Sequence, residues 1–183
     1  MKIIETPLPG AVVIEPRVFG ASLGHFYETF NSERFAEAGL PTNFGQANVS
    51  RSSRGVLRGL HFQWPEPQGK LVWVVEGEVW DVGVDIRRGS PTYGQHHGVV
   101  LSAGNHRAYW LPPGFAHGFL VLSEFATFTY LCTSVYRQAY DRGIAWNDPD
   151  LGIVWPLDGE PILSAKDQVA PRLKDVAPEL LPT

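Results

Sequence analysis

The chain has 183 residues, of which 44% are hydrophobic and 19% are charged. These proportions fit one globular domain with a sizeable core and exclude disorder along the whole chain. The formal net charge is −4 and no basic stripe is present, which argues against binding to the phosphate backbone of a nucleic acid. No segment approaches the ~20 apolar residues of a membrane-spanning helix.

The amino terminus and the cysteine content favour a cytoplasmic protein. The longest apolar run near the start is residues 11–14, which is too short for the hydrophobic region of a signal peptide. Cys132 is the single cysteine, so no disulfide can form within the chain, and its strand-like surroundings predict a small buried side chain. Together these features indicate a reducing compartment.

One early helix is predicted, over residues 31–39. Asn31 or Ser32 can cap its amino-terminal end and Gly39 its carboxyl-terminal end. Residues 71–75 and 79–86 follow as two strands around a tight turn, and we predict that they pair as a hairpin.

The second strand of that hairpin alternates apolar residues with Asp81, Gly83 and Asp85. The alternation predicts one apolar face and one partly polar face. Further strands are predicted at residues 97–101, 107–111, 118–122 and 126–136. Short strands separated by glycine and proline indicate an all-β sandwich, jelly roll or barrel, in one domain over residues 1–183. From Ser164 onward, a short helical or irregular segment is predicted to pack on this domain.

Residues 50–63 form the first candidate functional cluster. In a regular strand, Leu57, Gly59 and His61 would share one face, and Arg58 and Leu60 the other. A bulge at Gly59 would re-aim either set.

The same cluster contains Arg51, Arg54 and Arg58, three arginines within eight residues, which suit an anionic ligand such as a phosphate. A solvated loop with one packed histidine is the alternative, since lone histidines are common in protein cores.

The second cluster, residues 111–119, contains a P-x-G-x-x-H run that ends at His117. This run resembles the second motif of cupin barrels, where the histidine often binds a metal. The first cupin motif would supply His-x-His, but here His61 is followed by Phe62 and Gln63. Catalytic metal sites usually need about three protein ligands, so the residues favour a site without metal. A metal-dependent cupin enzyme is kept as an alternative.

The third cluster is residues 128–136, in which Tyr130, Cys132, Ser134 and Tyr136 alternate with the intervening residues. Aromatic residues favour half-buried strand faces, so the two tyrosines fit a core as well as a site. Residues 141–148, 155–156 and 163–167 add polar groups whose spacing does not by itself indicate chemistry.

Taken in order, these clusters resemble those of the dTDP-4-dehydrorhamnose 3,5-epimerases, a family of cupin-fold enzymes. The resemblance runs from residues 14–20 to residues 164–167, and its most specific pieces are residues 55–63, 113–119 and 143–148. It implies a cupin-like jelly-roll β-barrel with a few short peripheral helices. It also implies an isomerase that inverts C3 and C5 of dTDP-4-dehydro-6-deoxy-D-glucose to give dTDP-4-dehydro-L-rhamnose, without a metal or other cofactor.

The resemblance assigns roles to individual residues. His61 would remove a proton next to the C4 ketone and Asp167 would orient it, while Tyr130 would return a proton from the opposite face. Lys70 would stabilise the enolate. The remaining residues would hold the nucleotide sugar, with Tyr136 stacked on the thymine: Glu28, Gln46, Asn48, Arg58, His117, Tyr136, Asp141 and Lys166.

The chemistry agrees with these residue types. A histidine with a pKa near 6.5 suits a base at physiological pH, and a carboxylate behind it fixes its tautomer. One departure concerns Ala21, Ser22 and Leu23, since the family usually has an acidic residue near the start of this segment and, at position 23, an arginine associated with the diphosphate.

The resemblance further implies a homodimer in which residues near Glu28 reach into the partner's site. Epimerisation of C3 alone or of C5 alone, and a non-catalytic sugar-nucleotide binding module, are the alternatives that the sequence leaves open.

Overall fold

Two antiparallel β-sheets face each other across a shared interior in the computed structural model of the protein, which describes residues 1–183 apart from the side chain of Ala21. The strands are β1 (Lys2–Glu5), β2 (Val12–Glu15), β3 (Val18–Ala21), β4 (Gly24–Tyr27), β5 (Gln46–Ser53), β6 (Leu57–Gln63), β7 (Lys70–Glu76), β8 (Glu78–Asp85), β9 (His96–Ser102), β10 (Ala108–Leu111), β11 (Phe115–Val121), β12 (Phe125–Cys132) and β13 (Asp141–Gly143). The helices are α1 (Ser32–Glu37) and α2 (Ala165–Gln168), and 3-10 turns lie at Gln138–Tyr140, Leu173–Asp175 and Pro178–Leu180.

The larger sheet has the strand order β1-β2-β10-β7-β12-β5, and the smaller has β13-β6-β11-β8-β9. Strands β3 and β4 pair only with each other, as a separate hairpin. The prediction of an all-β, cupin-like barrel with a few short helices is confirmed. Of the helices that the structure describes, none is long and apolar enough to cross a membrane.

Both sheets are covered on both faces. The interior cluster joins residues of the two sheets, such as Val72 of β7 and Phe119 of β11. The outer face of the smaller sheet is covered by the carboxyl-terminal segment through Trp155 and Leu173, and the outer face of the larger sheet is covered by Phe35 of α1. The predicted packing of the segment after Ser164 on the domain is thereby explained, because that segment buries an apolar sheet face.

The predicted hairpin of residues 71–75 and 79–86 was wrong. Strands β7 and β8 are separated only by Gly77, yet β7 pairs with β10 and β12 whereas β8 pairs with β9 and β11. Gly77 has φ +78, and a Cβ at this position would lie 2.0 Å from the carbonyl oxygen of Phe125. The chain therefore turns a tight corner from one sheet to the other, where hydrophobic periodicity does not specify the pairing partner.

The predicted faces of β8 are confirmed, since Val82, Val84 and Ile86 share one apolar cluster and the aspartates lie on the other face. Asp81 and Asp85 are fully buried, because β8 is a central strand and lies between the interior and the carboxyl-terminal cover. Asp85 accepts hydrogen bonds from Arg87, Ser90 and Thr92, which hold the pKa of its carboxyl at about 2 although burial alone would raise it.

The predicted helix at residues 31–39 is confirmed as α1, and the side chain of Asn31 caps it by accepting from the backbone of Glu33 and Arg34. The predicted strand at residues 126–136 ends earlier, at Cys132. Cys132 is the last residue of β12 with partners on both sides, Gln46 of β5 and Lys70 of β7. Residues 133–137 consequently form a loop at the edge of the interior.

Candidate active site

The first wall of the site is β6, where a bulge turns Arg58 and His61 to the same face. The register pairs His61 with His117 and Arg58 with Phe119, so Gly59 and Leu60 together lie opposite the single residue Gly118. Directly opposed residues of an antiparallel pair share a face. The extra residue therefore places both Arg58 and His61 on the interior side and Leu60 in the outer core. The sequence indicated that a bulge at Gly59 would re-aim one of the two sets, but not which set.

Glycine is required at the bulge. Gly59 has φ +122, and a Cβ there would lie 2.6 Å from Cα of Gly118 and 2.7 Å from the carbonyl oxygen of His117. The close approach of β6 and β11 thus depends on a residue without a side chain.

His61 is held from behind by a buried carboxylate. Its Nε2 lies 2.5 Å from Oδ1 of Asp167, whose side chain is 2% exposed. Asp167 lies on α2, and its Oδ2 accepts a hydrogen bond of 2.7 Å from the hydroxyl of Ser164, the residue that caps this helix. The capping contact and the carboxylate contact together fix Asp167 against the imidazole ring.

The electrostatics keep the imidazole neutral and the carboxylate charged. Burial lowers the pKa of His61 below its ordinary value, and the hydrogen bond to Asp167 opposes this only in part. Burial alone would raise the pKa of Asp167, but hydrogen bonds from His61 and Ser164 lower it. A neutral imidazole that donates from Nε2 to a carboxylate has its free lone pair on Nδ1.

The facing wall is the inner face of the larger sheet. Cys132 pairs with Lys70 and with Gln46, and Tyr130 pairs with Asn48, so all five side chains project to one side. They line a cavity of about 320 Å³ together with His61. This arrangement places Lys70 and Tyr130 on the wall opposite His61.

Burial shifts the pKa values of these groups as well. It raises the pKa of the Tyr130 hydroxyl, which keeps the proton on the oxygen at neutral pH, and lowers the pKa of the Lys70 ammonium. It also raises the pKa of the Cys132 thiol, which is buried as predicted. The cavity thus holds a proton donor and a cation on one wall and a proton acceptor on the other.

Three further predicted residues meet at the mouth of the cavity. Asp141 Oδ2 accepts a hydrogen bond of 2.6 Å from Nζ of Lys166 and one of 3.3 Å from the hydroxyl of Tyr136. All three side chains line the cavity.

Arg58 and His117 face the interior outside this lining. Arg58 donates from Nε and Nη2 to Oγ of Ser52 on β5, at the open edge between the two sheets. Nε2 of His117 lies 2.8 Å from Oδ2 of the fully buried Asp81. Sequence reasoning missed Asp81 as a partner of a site residue, although an acidic residue inside an apolar strand was a usable signal.

The structure does not bring the three arginines together. Arg51 is exposed and bound to Glu76 at 3.1 Å, and Arg54 lies on the surface loop after β5, so the predicted anion site reduces to Arg58. Successive residues of a strand point to opposite faces, so Arg51 points away from the face of β5 on which Ser52 binds Arg58. Arg54 follows the end of β5.

Glu28 lies in a different cavity, of about 380 Å³, beside the β3–β4 hairpin. Its carboxylate accepts hydrogen bonds from Arg34 at 2.8 Å and Asn31 at 3.1 Å. Leu23, at the tip of the hairpin, is 99% exposed, while the side chain of Ala21 is outside the described residues. A single copy of the chain does not bring Glu28 to His61.

No group of three or more histidine, cysteine, aspartate and glutamate side chains that could hold a metal ion occurs within the described part of the chain. The rings of His25 and His106 lie close, with centroids 4.8 Å apart, but these two histidines do not belong to a group of three or more possible metal ligands among the described residues.

A carboxylate-oriented histidine that faces a partly buried tyrosine and lysine across a β-barrel interior is the arrangement expected of an acid–base enzyme of the cupin type. The family model described as dTDP-4-dehydrorhamnose 3,5-epimerase matches residues 5–175. The dTDP-4-dehydrorhamnose 3,5-epimerase of Pseudomonas aeruginosa is 54% identical over 169 residues, which cover 92% of this chain and 93% of that protein.

Solved structures agree. That of the dTDP-6-deoxy-D-glucose-3,5-epimerase from Legionella pneumophila, in complex with dTDP-4-keto-L-rhamnose, matches with a TM-score of 0.97 and 50% identity over 99% of this chain and 97% of that one. That of a 3'-monoepimerase from Streptomyces bikiniensis, in complex with dTDP-quinovose, matches with a TM-score of 0.93 and 40% identity over 98% and 92%. The chain belongs to the dTDP-4-dehydrorhamnose 3,5-epimerase family, and the predicted resemblance is confirmed. It is an epimerase.

Proposed function

We propose that the chain inverts C3 and C5 of dTDP-4-dehydro-6-deoxy-D-glucose to give dTDP-4-dehydro-L-rhamnose. The observation that carries the proposal is the position of the His61–Asp167 pair on one wall of the cavity and of Tyr130 and Lys70 on the other. Inversion of a carbon next to a ketone needs a base on one face of the sugar and an acid on the other. Those are the two walls of this cavity.

His61 is the proposed base. The neutral ring has its lone pair on Nδ1, and Asp167 stabilises the imidazolium that forms when the ring takes a proton from the sugar. Because the proton leaves from a carbon next to C4, the electron pair moves onto the ketone oxygen as an enolate.

Lys70 is the proposed partner of that oxygen. A preorganised donor at a developing oxyanion contributes about 10²–10³ in rate, and a buried ammonium is stronger than a solvated one. Burial lowers the pKa of Lys70, which also favours a shared proton with the enolate oxygen.

Tyr130 is the proposed acid. Its raised pKa keeps it protonated until charge develops on the sugar, and delivery of its proton to the opposite face inverts the carbon. Both C3 and C5 flank the C4 ketone, so the same three groups serve either carbon.

The nucleotide would lie at the mouth of the cavity. Tyr136 presents a half-exposed ring for stacking on thymine, while Lys166 and Arg58 are cations suited to the diphosphate. Gln46, Asn48, Asp141 and His117 supply the remaining polar groups around the substrate.

Epimerisation at a single carbon is the second candidate. The match to the 3'-monoepimerase at a TM-score of 0.93 supports it, because an enzyme with that printed activity has the same fold. The P. aeruginosa relative, at 54% identity, carries the name of the double reaction and favours the first candidate.

We also propose that the chain acts as a homodimer. The β3–β4 hairpin is separate from both sheets and exposes Phe19 by 51% and Phe26 by 68%, and β5 is an open edge strand. A second copy that covers this hairpin would let Glu28 reach a site other than its own. Residues 1–183 would act as one domain in each copy, and the buried thiol of Cys132 is in keeping with a cytoplasmic location.

Deuterium incorporation tests the reaction. The metal-stripped enzyme, in D₂O with dTDP-4-dehydro-6-deoxy-D-glucose, is expected to place deuterium at both C3 and C5, as read by NMR and mass spectrometry. Incorporation at one carbon only would select the single-carbon reaction. Binding without any incorporation would leave a non-catalytic binding module, and activity that returns only on addition of metal would support the metal-dependent alternative.

A further inference from the structure

We propose that Gln63 is a positioning residue for recognition of the nucleotide base, and that it acts through the loop that carries Tyr136. The inference rests on the proposed function, in which the ring of Tyr136 stacks on the thymine. It assigns a role to a side chain that has none in the reaction described above.

Tyr136 lies on a loop that neither sheet holds. Residues 133–137 follow the end of β12 at Cys132, where the ladders to β5 and β7 stop. The ring is 51% exposed at the mouth of the cavity. An exposed ring on such a loop binds a base well only if its backbone is already ordered, since ordering it on binding costs affinity.

The side-chain amide of Gln63 holds the loop on both sides of Tyr136. Nε2 of Gln63 donates to the carbonyl of Val135 at 3.2 Å, and Oε1 accepts from the backbone N–H of Arg137 at 2.7 Å. Nε2 also donates to the carbonyl of Glu66 at 2.6 Å, on the turn that packs against the loop. Both amide donors are therefore directed to backbone carbonyls rather than to a ligand.

Two other glutamine side chains, those of Gln46 and Gln68, also bind the backbone of this loop. Oε1 of Gln46 accepts from the backbone N–H of Tyr136 at 2.7 Å, and Nε2 of Gln68 donates to the carbonyl of Ser134 at 2.8 Å. Each of the residues 134–137 thus has one backbone group bound by a glutamine side chain. These side chains replace the strand partners that the loop lacks.

Gln63 differs from the other two because it contacts both flanks of Tyr136 and is only 4% exposed. It ends β6, the strand that also carries His61. The amide of Gln63 therefore connects the loop that carries Tyr136, the proposed stacking partner of the thymine, to the strand that carries His61. Gln63 also lines the cavity, but its amide is bound to backbone groups of the loop and of the turn at Glu66. We therefore expect its effect on the ligand to act through the loop, and this can be measured as coupling to Tyr136.

A double-mutant cycle tests the inference. Gln63→Met keeps the length of the side chain and removes the amide, and it is made in the wild type and in Tyr136→Ala. The dissociation constant of dTDP, measured by calorimetry, is expected to rise ~10-fold on Gln63→Met in the wild type and to change little in the Tyr136→Ala background. Turnover at saturating substrate is expected to stay within about twofold, so that the change appears in KM.

A matched control is Thr92→Val, which removes a side-chain hydrogen bond to Asp85 on a distant turn and is expected to leave the affinity for dTDP unchanged. Equal losses of affinity in both backgrounds, or none in the wild type, would overturn the inference. If Tyr136→Ala alone leaves the affinity for dTDP unchanged, the stacking role of Tyr136 in the proposed function is wrong. This result differs from the outcomes that overturn only the role of Gln63. Should Gln63→Met not fold, Gln63→Glu removes the donors to Val135 and Glu66 but keeps an acceptor for Arg137, and the same cycle applies.

Discussion

Nε2 of His61 lies 2.5 Å from Oδ1 of Asp167, a buried carboxylate that is not among the residues lining the cavity, whereas His61 is. The hydroxyl of Ser164 holds the second carboxylate oxygen at 2.7 Å. The imidazole is thus fixed at Nε2 by a charged partner that is itself fixed, which leaves Nδ1 for the substrate.

The first prediction concerns Asp167→Asn. The substitution keeps the shape of the side chain and removes the charge that stabilises the imidazolium, so kcat is expected to fall about 10²–10⁴-fold. Steady-state kinetics measure the loss. Asp150→Asn, which alters an exposed ion pair with Lys174, is the control and is expected to leave kcat unchanged. A kcat within twofold of the wild type in Asp167→Asn would refute the orienting role.

The second prediction concerns the pH dependence of kcat/KM. Burial lowers the pKa of His61 from the ordinary value of 6.5, so the acidic limb of the wild-type profile is expected below pH 6.5. Asp167 raises the pKa of His61, so Asp167→Asn is expected to move this limb to still lower pH. A limb that moves to higher pH in the variant would contradict this assignment.

The faces of β6 show what the sequence could predict and what it could not. A regular strand would have separated Arg58 from His61. The sequence indicated that a bulge at Gly59 would re-aim either set of side chains, and only the register shows that Arg58 and His61 share a face. Gly59 is a visible signal, but its requirement comes from the approach of Gly118 on a strand far away in the chain. The local sequence pattern can indicate that Gly59 is a special position, but its contact with Gly118 depends on the tertiary fold.

The same limit explains the wrong hairpin. The turn at Gly77 was recognisable, but the partners of β7 and β8 are set by which strands complete each sheet. The fold class and the residues around the cavity could be predicted from the order of the sequence motifs and their resemblance to a family. The contact of Asp81 with His117 and the hydrogen bonds of Gln63 to the loop could not, because they depend on distances between elements far apart in the chain.

The third prediction concerns Gly59→Ala. The added Cβ would meet the backbone of Gly118 and His117 at a residue with φ +122, so the free energy of unfolding is expected to fall by about 3 kcal/mol. Activity is expected to fall as well, because the bulge sets the direction of Arg58 and His61. Denaturant titration measures the loss. Gly104→Ala is the control, since a Cβ there meets only Oγ of Ser102 at 3.8 Å.

The fourth prediction concerns the homodimer. Phe26→Asp places a charge on the exposed hairpin and is expected to convert a dimer into a monomer in sedimentation velocity, because a buried interface does not tolerate an unpaired charge. Val154→Asp changes an equally apolar residue that is 83% exposed elsewhere and is expected to leave the dimer intact. A wild-type protein that sediments as a monomer at micromolar concentration would exclude the proposal.

The fifth prediction separates proton removal from inversion through Tyr130→Phe. The variant keeps His61, Asp167 and Lys70, so the sugar is still expected to exchange its acidic hydrogen with D₂O by removal and return on one face. Formation of the inverted product is expected to fall about 10²–10⁴-fold, because the donor on the opposite face is gone. NMR of the recovered sugar measures both, as deuterium content and as configuration.

Tyr93→Phe, on a turn outside the cavity, is the control for that experiment and is expected to behave as the wild type. If Tyr130→Phe lost exchange and inversion together, the tyrosine would be needed to generate the enolate, and the assignment of His61 as the base acting from the other wall would be wrong. The proposed mechanism predicts that Tyr130→Phe still exchanges the hydrogen of the sugar with D₂O but does not invert the carbon. That result would show that His61 removes the proton and that Tyr130 returns it from the opposite face.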